Sequence, residues 1–184
     1  MKFEDMKTKQ LSKIDKSNIG KWDPKIKILC EKLNKRKEYY TTSSCSGRVV
    51  LIKSLDEKAG NVFLFRTHKK IKFEELKKAL DEVDYKGLVE FRQTTCILHV
   101  GCAFLEDAQK LVDKAKFVGW KRSGIMASRK RFVVELVSTE NIEFPIMNKG
   151  QILVDDNFLK LIVREANNKL ERIWDKIDRL EDSL

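Results

Sequence analysis

The chain has 184 residues, 42% of them hydrophobic, with 38 Lys and Arg against 28 Asp and Glu and a formal charge of +10. This composition builds a folded core and excludes a disordered or collagen-like chain, and the length fits one domain, residues 1–184. No apolar run approaches the roughly 18 residues that cross a bilayer, and MKFEDMKTKQ lacks the apolar stretch of a signal peptide, so a cytoplasmic protein without a membrane partner is expected.

Phe3, Met6, Leu11 and Ile14 recur at near-helical spacing and predict a short amphipathic helix that breaks at Ser17, Asn18 and Gly20. Asp23 as N-cap and Pro24 at the first helical position open a second helix, with Ile26, Leu29, Cys30 and Leu33 on one face. The small and hydroxylated run from Thr41 to Gly47 reads as a loop entering a buried strand, Val49 to Ile52. LDEKAGN then reads as a hairpin turn into a second strand, Val62 to Arg66, and Glu74 to Val83 as a helix.

Two further strands, Leu88 to Gln93 and Thr95 to Gly101, precede a periodic helix carrying Phe104, Ala108, Leu111, Val112, Ala115 and Val118, which Gly119 stops. Strands follow around Ile125 and from Arg131 to Val137, and Pro145 closes the section. Leu159, Ile162, Ala166, Leu170, Ile173, Ile177, Leu180 and Leu184 define one long helix capped by Asp155 or Asp156, either packed on the domain or exposed to form a homodimer. The order of elements predicts an α+β fold with a mainly antiparallel sheet and flanking helices.

The charge is unevenly placed. Seven basic residues and no acidic one lie between Lys114 and Arg131 (Lys114, Lys116, Lys121, Arg122, Arg129, Lys130 and Arg131), which suits a nucleic-acid footprint, the alternative being a solvated surface rich in Lys and Glu. Within it Ser123-Gly124 offers a permissive backbone for close approach of a ligand. In Thr41-Thr42-Ser43-Ser44-Cys45-Ser46-Gly47-Arg48, hydroxyls and accessible N–H groups suit an anion-binding nest, and Arg48 adds a planar fork for carboxylate or phosphate. His68 stands at the polar end of an apolar strand, where ligand groups collect.

Cys30, Cys45, Cys96 and Cys102 lack disulfide-scaffold spacing and read as reduced thiols. Strand alternation turns His99 away from Cys96 and Cys102, so no metal site is expected there. No G-x-G-x-x-G or P-loop motif occurs, which excludes a Rossmann cofactor site and a nucleotide-hydrolysing loop. From the residues alone the chain is a basic α+β protein with an RNA-binding surface.

Several blocks in order carry a more specific resemblance. They are Leu11-Ser12-Lys13-Ile14-Asp15 with Gly20, Thr41 to Arg48, Thr67-His68-Lys69, Leu98-His99-Val100 with Cys102, Ser123-Gly124-Ile125, Ser138-Thr139-Glu140 and Lys149-Gly150. Over nearly its whole length the chain resembles, in its archaeal form, the wybutosine-synthesising protein 3 family, tRNA(Phe) 7-[(3-amino-3-carboxypropyl)-4-demethylwyosine] N4-methyltransferases. It departs from the family pattern at Phe65-Arg66, which is more charged.

The resemblance implies a fold unlike the usual methyltransferase one and methyl transfer from S-adenosylmethionine to a tricyclic guanine derivative beside the tRNA(Phe) anticodon. On that reading Ser44, Cys45, Ser46, Gly47 and Arg48 hold the cofactor, and Asp15 or His68 accepts the ring proton. His99, Lys121, Arg122, Ser123, Gly124, Arg129 and Arg131 meet the anticodon arm. The competing expectations are a non-catalytic RNA-binding module and an assembly protein acting through its last helix.

Overall fold

The computed structural model of the protein describes residues 2–13, 22–54, 62–128 and 131–184, the side chains of 127 and 128 excepted. In chain order it contains α1 (Phe3–Leu11), α2 (Pro24–Lys35), β1 (Tyr39–Cys45), β2 (Arg48–Lys53), β3 (Phe63–Thr67), α3 (Phe73–Asp81) and β4 (Val89–Thr94). Then follow β5 (Ile97–Cys102), α4 (Leu105–Phe117), β6 (Gly124–Ser128), β7 (Arg131–Val137), β8 (Ile142–Asn148), β9 (Gln151–Ile152) and α5 (Asp156–Ser183). The strands make two sheets, ordered β1-β5-β7-β6 and β3-β2-β4-β8-β9, and every pairing is antiparallel. The α+β class expected from the sequence is therefore met.

Each sheet belongs to its own compact unit. The first comprises Met1–Ser46, Cys96–Thr139 and Ile173–Leu184, the second Gly47–Thr95 and Glu140–Arg172. Among the described residues no helix is long and apolar enough to cross a membrane.

In the first unit, alternation along β5 sends Leu98, Val100 and Cys102 into a core shared with Ile26, Leu29 and Leu33 of α2, Leu111 and Ala115 of α4, Trp120, and Ile173, Ile177 and Leu180 of α5. On the opposite sheet face Gly101 pairs with Tyr40, and the Tyr40 ring fills the space over that glycine. Phe3 of α1 meets the same ring at 5.3 Å between centroids. Three cations satisfy the last carbonyls of α5: Lys32 donates to Glu181 O at 2.5 Å, Arg36 to Leu184 O at 2.6 Å, and Lys114 to Ser183 O. Positive charge at a helix C-terminus also opposes its dipole.

In the second unit the buried positions are Val49 and Leu51 of β2, Val89 and Phe91 of β4, Leu76 and Leu80 of α3, and Leu159, Ala166 and Leu170 of α5. Phe91, Phe144 and Phe158 form a chain of ring contacts at 5.4 Å that ties the sheet to α5. Asn167 of α5 bonds both backbone groups of Ile71, and Asp155 caps α5 by accepting from Phe158 N at 2.8 Å.

Several expectations need correction. Thr41 to Cys45 is not a loop but most of β1, because pairing with β5 satisfies its backbone whatever its side chains. Pro145 does not close the section: it lies inside β8 opposite Glu90, at a register shift where a missing N–H is tolerated. Phe104 was assigned to the apolar face of α4 but is 67% exposed at its N-cap. The periodic positions of α5 from Leu159 to Leu180 are buried within the chain, which meets the packed alternative of the two expected for this helix. Asp23 stands at the N-cap of α2 yet makes no capping bond there.

Two outcomes follow from this packing. A Cβ on Gly101 would lie 2.4 Å from the Tyr40 ring, so Gly101→Ala lowers stability by about 1–3 kcal/mol, and Tyr40→Ala in the same chain relieves much of that loss in a double-mutant cycle read by urea unfolding. Burial pushes the Cys30 thiol up to about 12 from 9.0, despite a lowering contact with Ser44. A raised folded-state pKa stabilises fully below the unfolded value and is lost above it, so the melting temperature falls between pH 9 and 12, less steeply in Cys30→Ala.

Candidate functional site

The Ser44–Arg48 segment is held by its own backbone groups. In the first unit Ser46 is fully buried, and the Asp23 carboxylate accepts from its N–H at 2.8 Å and its hydroxyl at 3.2 Å. The Trp174 indole donates to Ser46 O at 3.2 Å, and Lys25 sits 4.8 Å over the same indole. The N–H that the sequence suggested for an external anion thus already holds the chain's own carboxylate. Ser44 turns its side chain toward Cys30, and Cys45 is half-buried.

In the second unit Gly47 has a φ of +87°, a left-handed conformation that glycine adopts without strain. Its carbonyl lies 3.2 Å from His68 Nδ1. A carbonyl can only accept, so Nδ1 carries a proton in this bond. Beside them Arg48 makes no hydrogen bond or ion pair among the described residues, and its Nε is buried. Gly47, Arg48 and His68 are therefore brought together, as the sequence suggested.

Sequence reasoning missed the neighbours of Arg48. Its guanidinium carbon lies 5.2 Å from the centre of the Phe63 ring, and that of Arg66 lies 5.3 Å from the same ring. The register pairs Val50 with Arg66, so strand alternation puts Arg48 and Arg66 on one face of the sheet. The available signal was this cross-hairpin alternation. Arg92, also opposite Val50, is neutralised by Glu90 and Glu143.

The remaining sequence candidates lie in the first unit. His99 faces away from the core that holds Cys96 and Cys102, with its Nε2 3.4 Å from Glu135 Oε2 but without hydrogen-bond geometry. Gly124, also opposite Glu135, has open space where a Cβ would project. Ser123 is buried, its hydroxyl donating to Trp120 O at 2.7 Å and accepting from Val137 N at 3.1 Å, so its bonding closes the turn. Lys121, Arg122 and Arg131 are exposed, and Phe117, at 90% exposure, projects from the end of α4 in the same stretch of chain. Asp15 and Arg129 lie outside the described residues.

Comparison with known proteins adds the chemistry. A family profile described as "Methyltransferase TYW3" matches residues 4–184. A Thermococcus sibiricus protein named tRNA(Phe) 7-((3-amino-3-carboxypropyl)-4-demethylwyosine(37)-N(4))-methyltransferase is 36% identical over 99% of this chain and 94% of its own. A Danio rerio protein named tRNA wybutosine-synthesizing protein 3 homolog is 32% identical over 99% of this chain and 74% of its own. The solved structure of PH1069 from Pyrococcus horikoshii superposes with a TM-score of 0.90 at 34% identity, over 98% of this chain and 95% of that one. Matched along its length by the family profile and sharing the fold of that solved structure, the chain belongs to the TYW3 methyltransferase family.

Proposed function

We propose that the protein methylates the N4 nitrogen of a wyosine-type tricyclic guanine derivative beside the anticodon of tRNA(Phe), using S-adenosylmethionine. The observation that carries this reading is the meeting of His68 and Arg48 at one glycine turn, with His68 Nδ1 3.2 Å from the Gly47 carbonyl and the Arg48 Nε buried without a hydrogen-bond partner among the described residues. The donor set fits the cofactor: in the second unit Arg48 offers a fork to the carboxylate of its methionine moiety, beside the Gly47 turn. Bound there, S-adenosylmethionine would supply an electrophilic methyl group.

The chain's own part is positioning and proton removal. Alkylation of a ring N–H leaves one proton to be taken up, and His68 Nε2 accepts it while the Gly47 carbonyl stabilises the charged ring through Nδ1. A rigid turn keeps that nitrogen at fixed distance from the arginine that anchors the donor, and orientation of this kind supplies much of the acceleration. Lys121, Arg122 and Arg131 attract the anticodon arm, and Phe117 gives an unstacked loop base a face to rest on. His99 and Gly124 provide a further contact surface on the outer face of that sheet. The buried stripe of α5 gives no reason to invoke a second copy.

The deciding measurement is mass spectrometry of hypomodified tRNA(Phe) incubated with pure protein and S-adenosylmethionine: the expected gain is one methyl group on the tricyclic base, and an unmodified base refutes the reading. In the same assay His68→Asn, which can still donate to the Gly47 carbonyl, lowers kcat by about 10²–10⁴-fold and abolishes the acidic limb of the pH profile. An unaltered profile removes His68 from proton transfer. Arg48→Ala weakens S-adenosylmethionine binding by about 10–100-fold in a calorimetric titration, with the thermal melt unchanged. Unchanged affinity assigns the donor's carboxylate to other groups.

A further inference from the structure

Two guanidiniums lie over Phe63, and neither has a counter-ion among the described residues. Arg48 and Arg66 approach the ring centre at 5.2 and 5.3 Å, and neither makes an ion pair or hydrogen bond among the described residues. The third arginine of this sheet face is different: Arg92 is bound by both Glu90 and Glu143, which leaves those carboxylates engaged. Like charges on one ring repel, and the ring's negative face compensates them only in part. An arrangement of this kind suits anions brought by a ligand.

The chemistry proposed above brings two such anions, one on each reactant. S-adenosylmethionine carries the carboxylate of its methionine moiety. The base carries another on the 3-amino-3-carboxypropyl arm that the relatives' names specify. A planar carboxylate matches the fork of a guanidinium in bidentate fashion, so one guanidinium serves each reactant.

Resting on that methyl-transfer reading, we propose that Arg66 recognises the carboxylate of the substrate's aminocarboxypropyl arm, while Arg48 keeps the donor's and Phe63 holds the two cations in separate positions. Arg66 is exposed and borne on the strand that leads to His68, two residues from the group that takes the ring proton. An arm gripped there selects the base at the stage of its synthesis when the arm is already attached.

The test compares two anticodon stem–loop RNAs, one whose tricyclic base bears the arm and one with 4-demethylwyosine, which lacks it. Wild-type protein binds the first about tenfold more tightly, the value of one charge-assisted contact, and Arg66→Ala reduces that preference to near unity with S-adenosylmethionine affinity unaltered. Arg66→Gln, closer in size, shows the same loss should the alanine variant fold poorly, and Arg66→Lys restores part of the preference. A wild-type protein indifferent to the arm overturns the proposal. So does equal weakening toward both RNAs, which assigns Arg66 to a phosphate, or a loss confined to S-adenosylmethionine, which assigns it to the donor. Absence of methylation on either RNA by the wild type speaks against the underlying reading, while the binding comparison still decides the role of Arg66.

Discussion

The bond from Ser46 N–H to the buried carboxylate of Asp23 is the constraint that fixes the end of β1 in the first unit. Residues between two strands ordinarily belong to the more mobile part of a protein. Here the hydroxyl, the N–H and the carbonyl of one residue are all engaged, by Asp23 on one side and the Trp174 indole on the other. Leaving such a buried group without its partner costs about 1–3 kcal/mol, so Ser46 has one well-defined conformation. Gly47 follows directly, and its positive φ aims a carbonyl at His68 while the chain continues into β2 with Arg48 as its first residue. Within the second unit, His68 and Arg48 thus depend on the same glycine for their meeting.

That dependence explains which parts of the molecule could be read in advance. The helices α2, α4 and α5 announced themselves through apolar periodicity, and β2 and β7 through short apolar runs, because burial acts on local spacing. β1 did not, since its Thr and Ser residues carry no apolar pattern and its strand character comes from pairing with β5, over fifty residues away. β8 was hidden by Pro145, which a bulge accommodates. The division into two units was equally invisible, because each is assembled from distant stretches of chain.

The site was legible to the same degree. Arg48 and His68 stood out by residue type and flanking pattern, and they do gather at Gly47. The inward turn of Ser46 was not foreseeable, because its partner Asp23 fits a helix cap equally well from sequence. Phe63 and Arg66 were overlooked for a geometric reason. Their approach to Arg48 depends on the β2–β3 register, which shifts between Leu51 and Ile52 beside a connection whose length alone does not specify it.

The formal charge of +10 illustrates why a total is a poor guide to a binding surface. Lys32, Arg36 and Lys114 lie on carbonyls at the end of α5, and the Lys114 that opens the basic run is one of them. Arg92, Lys70 and Lys77 are paired with carboxylates of their own unit. Counterions are released only when a cation turns from solvent to phosphate, and a cation already bound to the chain has few to release. The charge available to RNA therefore resides in exposed residues such as Lys121 and Arg122, whereas Arg48 and Arg66 form a separate class beside Phe63. Exposed cations of the first kind suit long-range attraction of a polyanion without selectivity, whereas a guanidinium of the second kind suits one planar anion each at contact distance, and keeping the two on different parts of the chain lets attraction and recognition be tuned independently.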